Sequence, residues 1–217
     1  MKAIQSLLKV FESRKMAALL LLGFASGLPL LLIGSTLKTW MTLEKVDLGA
    51  IGWFSLASLP FSFKFLWSPF LDRFTLPFLG RRRGWLILTQ IALILAIALL
   101  GLQQPKQALQ LVAINAIVIA FLSATQDIAT DAYRTDVLTN LEMGAGAAVS
   151  TLGYRIGMIA AGSLALILAD RMPWSSVYLI MAGMMAIGIF ATLLAPEPQE
   201  TSPPASLADA VKIGRAH

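Results

Sequence analysis

The stretch from Gln126 to Arg134 places charged side chains at the end of a long apolar run that begins near Gln107. At 100° per helical residue, Asp127, Asp131 and Arg134 fall within a sector of about 60° and therefore share one face of a helix. Ionisable groups inside a bilayer cost roughly 2.5 kcal/mol or more each on insertion scales, so they normally face a bundle interior or a water-filled cavity. The sequence therefore predicts a polar cavity beside this helix.

The three charges of this face have different expected roles. Asp131 and Arg134 are spaced i, i+3 and can neutralise each other near the inner membrane boundary. Asp127 lies more than a turn deeper and has no partner on its own helix, so its counter-charge is expected from Lys64 or Arg155. A carboxyl in such a position can exchange a proton, which is the property that a proton-coupled carrier needs.

Both candidate cations allow alternatives. Lys64 can extend its flexible stem to the headgroups, or it can point inward and pair with a carboxylate such as Asp127. Arg155 can offset Asp127 or Asp136, or its planar guanidinium can bind an anionic group of a substrate. The sequence leaves these alternatives open.

Two glycine patterns predict close helix contacts. Gly23 and Gly27 are four residues apart, as are Gly153 and Gly157, and small residues at this spacing let membrane helices approach closely. Pro29 removes a backbone donor and is expected to bend its helix within the membrane. Helix packing alone explains these patterns, and a flexible helix that lines a pathway is the functional alternative.

The chain is 57% hydrophobic and only 13% charged, whereas a soluble domain carries about 25% charge. It contains six largely apolar segments, at residues 16–37, 48–71, 84–105, 107–134, 143–169 and 172–196. We therefore predict an all-α polytopic membrane protein with a cytosolic segment at 1–15, a six-helix bundle at 16–196 and a cytosolic Pro-rich linker at 197–217. We expect the six-helix bundle to be embedded in the lipid bilayer.

The distribution of lysine and arginine predicts the orientation. With the N-terminus inside, the inner side receives Lys2, Lys9, Arg14, Lys15, Arg73, Arg81, Arg82, Arg83, Lys212 and Arg215. The outer side receives Lys38, Lys45, Lys106 and Arg171. This asymmetry favours both termini in the cytoplasm.

The residue inventory excludes several kinds of chemistry. Cysteine is absent and the single histidine is His217, so thiol catalysis and histidine or cysteine metal sites are excluded. Phosphate loops, zinc-protease motifs and nucleophile elbows are missing as well, which argues against an enzyme and against a cofactor or metal. The net charge of +5 sits between apolar runs, so it does not indicate a nucleic-acid partner.

Four stretches resemble the muropeptide permeases of the AmpG type, within the major facilitator superfamily. They are Gly23-Phe-Ala-Ser-Gly-Leu-Pro-Leu, Lys64-Phe-Leu-Trp-Ser-Pro, Ala124-Thr-Gln-Asp-Ile-Ala-Thr-Asp and Leu152-Gly-Tyr-Arg-Ile-Gly. The loop from Asp72-Arg73 to Arg81-Arg82-Arg83 is similar to the superfamily's signature loop, which latches helices on the cytoplasmic side, although it is longer here. The alternative is that these arginines only set topology. The candidate pathway residues are Asp127, Lys64, Arg155, Gln126, Asp131 and Tyr154.

The resemblance implies a transporter of two six-helix halves in the inner membrane of a Gram-negative bacterium. It implies proton-driven import of anhydromuropeptides, in which N-acetylglucosamine is joined to anhydro-N-acetylmuramic acid with its stem peptide, for peptidoglycan recycling. The second half is missing here, so we expect a half-transporter fragment whose last residues are not native. The alternatives are a carrier of another bulky anion such as acetyl-CoA, and a non-transporting six-helix membrane assembly protein.

Overall fold

The computed structural model describes residues 13–74 and 80–196, and within these ranges every regular element is helical. This confirms the predicted all-α class. Nearly all of the expected N-terminal cytosolic segment, and all of the expected linker at 197–217, lie outside the described residues.

Six helical segments follow one another along the chain. We number them α1 (Arg14–Leu43), α2 (residues 48–73), α3 (Arg81–Leu102), α4 (Leu109–Val137), α5 (Met143–Ala169) and α6 (Trp174–Leu194). All except α2 are long and apolar enough to cross a membrane. The structure therefore has five clear candidate spans and a sixth segment of a different kind.

The second segment is broken into short pieces. α-Helical turns at Leu48–Trp53, Leu59–Phe63 and Ser68–Arg73 alternate with 3-10 turns at Phe54–Ser58 and Lys64–Leu66. Pro60 and Pro69 lie in the first turn of the second and third α-helical pieces, where their missing N–H groups interrupt the ladder of the preceding turn. The sequence predicted where this segment lies but not that its helix is interrupted.

α1 lies at the centre of the bundle and packs against α5, α6 and α4. α3 packs against α6 and α4, and the pieces of α2 pack on α4. Because α1, α4 and α5 meet one another, polar residues on their facing sides share one interior space.

Both α1 and α5 contain a π-helical turn, at Leu32–Thr36 and Ala160–Leu164, and the two turns contact each other. Gly34 is non-helical, with ψ −109°, so α1 kinks five residues beyond Pro29, which itself lies inside a regular helix. The Thr36 hydroxyl donates to the Ala161 carbonyl at 2.7 Å. The displaced backbone is therefore satisfied by a side chain of the neighbouring helix.

Candidate functional site

A cavity of about 320 Å³ lies between α1, α2, α4 and α5. Its walls carry charges of both signs and several hydroxyl groups. The lining residues are Gly23, Ser26, Lys64, Asp127, Thr130, Asp131, Arg134, Ser150, Thr151 and Tyr154. The predicted polar cavity beside the charged face of α4 is therefore present in the structure.

Ion pairs connect the charges at one side of this cavity. Arg134 Nη2 lies 3.1 Å from Asp131 Oδ1, which is the i, i+3 pair expected from the sequence. Lys64 Nζ lies 3.7 Å from Asp131 Oδ2, so the lysine points into the cavity rather than to the headgroups. Its ion-pair partner is Asp131 and not Asp127, because the interrupted α2 places Lys64 beside the helical turn that follows Asp127.

Asp127 lies instead beside the hydroxyl of Ser26 on α1, and both residues line the cavity. Gln126 donates its amide Nε2–H to the same Ser26 oxygen at 3.2 Å, and Thr130 Oγ1 lies 3.5 Å from it. Since an amide nitrogen only donates, the Ser26 oxygen accepts from Gln126 and its proton is available to the carboxylate. Gln126 is fully buried and does not itself line the cavity.

The wall formed by α1 and α5 depends on the predicted glycines. A Cβ added at Gly23 or Gly27 would overlap the backbone carbonyl of Ser150 or Tyr154. Gly153 and Gly157 have the reciprocal relation to Leu20 and Phe24 of α1. The two backbones therefore touch along this line. That contact brings Ser150 and Tyr154 to the cavity.

Arg155 does not line the cavity. Its side chain is exposed on α5, and it makes no hydrogen bond or ion pair with any residue of 13–74 and 80–196. The described residues therefore show no ion pair of Arg155 with Asp127 or Asp136. Arg155 lies one turn along α5 from Thr151 and continues the same face beyond the cavity.

A second charged cluster lies at the end of the bundle where α3 begins. Arg82 is almost fully buried, and it donates from Nη1 to Asp72 Oδ1 and from Nε to Asp136 Oδ2, both at 2.7 Å. The predicted loop charges Asp72 and Arg82 therefore meet, and they join α2 and α3 to the end of α4. The role of Asp136 was not anticipated, because nothing in the spacing of separate helices shows which carboxylate faces this arginine.

The remaining loop arginines have different surroundings. Arg83 donates to the backbone carbonyls of Thr192 and Leu193 at 3.0 and 3.1 Å, so its charge stabilises the C-terminal end of α6. Arg73 is exposed, and the side chain of Arg81 lies outside what the structure describes.

Six lining residues were not singled out as pathway candidates from the sequence. Gly23 was assigned to helix packing and Arg134 to the local pair with Asp131, and the other four are Ser26, Thr130, Ser150 and Thr151. Ser26 lies three residues after Gly23 and Ser150 three before Gly153, so the spacing to the packing glycines is a signal that could have found both. In the described part of the chain, no group of three or more histidine, cysteine, aspartate or glutamate side chains could hold a metal ion.

Comparisons with known proteins agree with this arrangement. The family model of the Major Facilitator Superfamily matches residues 8–215. The chain is 55% identical over 206 residues to the anhydromuropeptide permease of Escherichia coli K12, which covers 94% of this chain and 42% of that protein. It is 43% identical to an uncharacterized protein of Haemophilus influenzae, over 88% of this chain and 46% of the relative.

A third relative is the putative transporter AmpG 4 of Rickettsia felis, 35% identical over 82% of this chain and 44% of its own length. The chain thus spans less than half the length of these relatives. The named relatives are permeases and transporters rather than enzymes, and the resemblance read from the motifs is confirmed. With a family model matched along almost its whole length and a bundle of membrane-spanning helices, this chain belongs to the major facilitator superfamily.

Proposed function

We propose that this chain forms one six-helix half of a proton-coupled importer of anhydromuropeptides. The observation that carries the proposal is the polar cavity between α1, α2, α4 and α5, which holds Lys64, Arg134, Asp127 and Asp131 where an ordinary helix bundle would be apolar. The similarity to the anhydromuropeptide permease of E. coli supports the substrate class.

The chemistry of the cavity suits a glycopeptide. A muropeptide presents sugar hydroxyls, amides and the carboxylates of its stem peptide. Lys64 and Arg134 can bind carboxylates, and the hydroxyls of Thr151 and Tyr154 can exchange hydrogen bonds with sugar or peptide groups.

Asp127 is the proposed proton-coupling group. Asp131 is engaged by Lys64 and Arg134, whereas Asp127 lines the same cavity and has no ion pair among the described residues. We therefore assign the uptake and release of the proton to Asp127. In this scheme Lys64 and Asp131 contact the substrate, and Gln126 orients Ser26.

A second half of the transporter supplies the opposite wall. Two observations support this part of the proposal: the chain spans 42% of the E. coli relative, and Thr151 and Arg155 are exposed on a helix that belongs in a membrane. A guanidinium on a membrane-spanning helix is expected to face a water-filled cavity rather than lipid. Transporters of this kind place the substrate between two bundles near the bilayer midplane.

The proposal is tested by uptake of radiolabelled anhydromuropeptide into inner-membrane vesicles with an imposed proton gradient. The host strain lacks its own muropeptide permease, and it expresses the 217-residue chain alone or together with the C-terminal half of the E. coli relative. We expect uptake only from the pair, competed by unlabelled anhydromuropeptide and not by acetyl-CoA. Absence of uptake when both polypeptides are in the membrane, or competition by acetyl-CoA alone, would reject the proposal.

The proposed location is the inner membrane, with both termini in the cytoplasm. Reporter fusions after Ala195 and within residues 103–107 test this orientation. A reporter that is active only in the cytoplasm should work at the first position and not at the second, and the reverse pattern would refute the orientation.

A further inference from the structure

A separate groove lies between α1 and α6 at the inner end of the bundle. It has a volume of about 250 Å³ and is lined by Arg14, Ala17, Ala18 and Leu21 of α1 with Ala191 and Leu194 of α6. None of these residues belongs to the polar cavity. The groove therefore has its own chemistry.

Small side chains create this groove. Ala18 and Ala191 are buried and form its floor, whereas Ala17 and Leu194 are exposed and form its rim. Five of the six lining side chains are apolar, and the groove lies on membrane-spanning helices. The side chains that line the groove have no packing partners across it, so an apolar occupant would gain dispersion contacts with them.

The mouth of the groove is positively charged. Arg14 is the first residue of α1, its side chain is exposed, and it has no ion pair or side-chain hydrogen bond with the described residues. The neighbouring Lys15 is bound to Glu142 at 3.3 Å. Arg83 binds the carbonyls of Thr192 and Leu193, which lie between the two lining residues of α6. Arg83 is thus engaged by the carbonyls at the C-terminal end of α6, whereas Arg14 and the N-terminal end of α1 favour an anion at this end.

The charge at the end of the groove distinguishes between occupants. A groove of about 250 Å³ can take in part of one extended acyl chain along its alanines. The phospholipid of such a chain also carries a phosphate at the level of the helix ends, and guanidinium groups bind phosphate through paired hydrogen bonds.

We propose that this groove binds an anionic phospholipid of the inner leaflet, with the phosphate at Arg14 and one acyl chain along the alanines of α1 and α6. Basic pockets between helices on the cytoplasmic side have the chemistry that recognises such headgroups. The groove shares no lining residue with the polar cavity, so the lipid site can be tested independently of the proposed function.

The test is lipid titration of the purified 217-residue chain in non-ionic detergent, followed by native mass spectrometry. Dioleoyl phosphatidylglycerol is compared with dioleoyl phosphatidylcholine, so that only the headgroup charge differs. We expect phosphatidylglycerol to bind about fivefold more tightly, which is the preference expected for one basic residue near the membrane surface. Arg14→Gln should remove this preference, and Ala17→Phe, which fills the rim, should weaken both lipids.

Arg171→Gln is the matched control, because Arg171 is an exposed arginine at the opposite end of the bundle. It should leave binding of both lipids unchanged. Equal binding of the two lipids by the parent chain, or full binding by both Arg14→Gln and Ala17→Phe, would overturn the proposal. No bound lipid at any concentration would overturn it too, and would mean that another occupant covers the groove.

Discussion

Replacing Arg82 by methionine should destabilise the bundle strongly, because one buried guanidinium serves two carboxylates. Its side chain is 8% exposed, and both of its hydrogen bonds to Asp72 and Asp136 measure 2.7 Å. Removing one partner of a buried ion pair costs roughly 3–5 kcal/mol, since the remaining charge is left uncompensated. Asp72 and Asp136 are 30% and 18% exposed and recover part of their hydration, so we expect a loss of about 3 kcal/mol.

For a chain of this size about 1 kcal/mol corresponds to a shift of roughly 2–4 °C, so Arg82→Met should lower the melting temperature by about 6–12 °C. The assay is thermal unfolding of the purified chain in detergent, followed by circular dichroism at neutral pH. The matched control is Arg73→Met, because Arg73 lies in the same region and is exposed. A surface change of this kind should alter stability by no more than about 0.5 kcal/mol.

A triple variant separates lost charge pairing from lost packing. Adding Asp72→Asn and Asp136→Asn to Arg82→Met removes the two carboxylate charges that lose their bond to Arg82, and it should recover most of the loss. If Arg82→Met melts at the temperature of Arg73→Met, the ion pairs of Arg82 contribute nothing to stability and the reasoning is refuted. If the triple variant is no better than the single one, the cost comes from packing.

Three further predictions concern other parts of the bundle. Gly153→Ala should cost about 1–3 kcal/mol, since its Cβ would overlap the Leu20 carbonyl, whereas the control Gly183→Ala has nothing within 4 Å and should gain up to about 1 kcal/mol in the same melting assay. Lys64→Met should change stability by less than about 1 kcal/mol, because its pair with Asp131 is partly exposed, yet it should reduce muropeptide uptake in the complete transporter; normal uptake would remove Lys64 from the proposed substrate contacts. The backbone N–H of Thr139, with smaller contributions from the Thr139 hydroxyl and Lys15, lowers the pKa of Glu142 below its ordinary value of 4.5. Glu142 therefore stabilises the fold above that value and loses the effect as pH falls through the lowered pKa, so Glu142→Gln should melt earlier at pH 7 and like the parent in strong acid; equal melting at pH 7 would contradict this.

The sequence predicted the number and position of the helical segments because each carries its own apolar run, and apolar length is a local property. It did not predict where helices break. The kink of α1 lies at Gly34 and not at Pro29, within a π-helical turn that contacts the π-helical turn of α5. Tyr178 donates to the Leu32 carbonyl, and Thr36 donates to the Ala161 carbonyl. Those bonds depend on which helices are neighbours, and a single segment does not encode that.

The candidate site also combines features that the sequence predicts with features that it does not. The common face of Asp127, Asp131 and Arg134 follows from helical geometry and is visible in the sequence. The partner of Lys64 depends on the irregular α2, and the meeting of Ser26 with Asp127 and Gln126 depends on α1 packing beside α4. Arg155 could not be placed either, because its side chain makes no hydrogen bond or ion pair in the described bundle, and a partner on a second half would lie outside this chain.

The most direct test of the proposed mechanism is proton-driven uptake by a complete transporter that carries Asp127→Asn in this half. The asparagine keeps the shape of the side chain and its capacity to accept from Ser26, and it cannot release a proton. Uptake driven by an imposed pH gradient should be abolished, while the variant reaches the membrane in normal amount and still binds labelled anhydromuropeptide. Normal gradient-driven uptake by this variant would contradict the assignment of Asp127 as the proton-coupling residue.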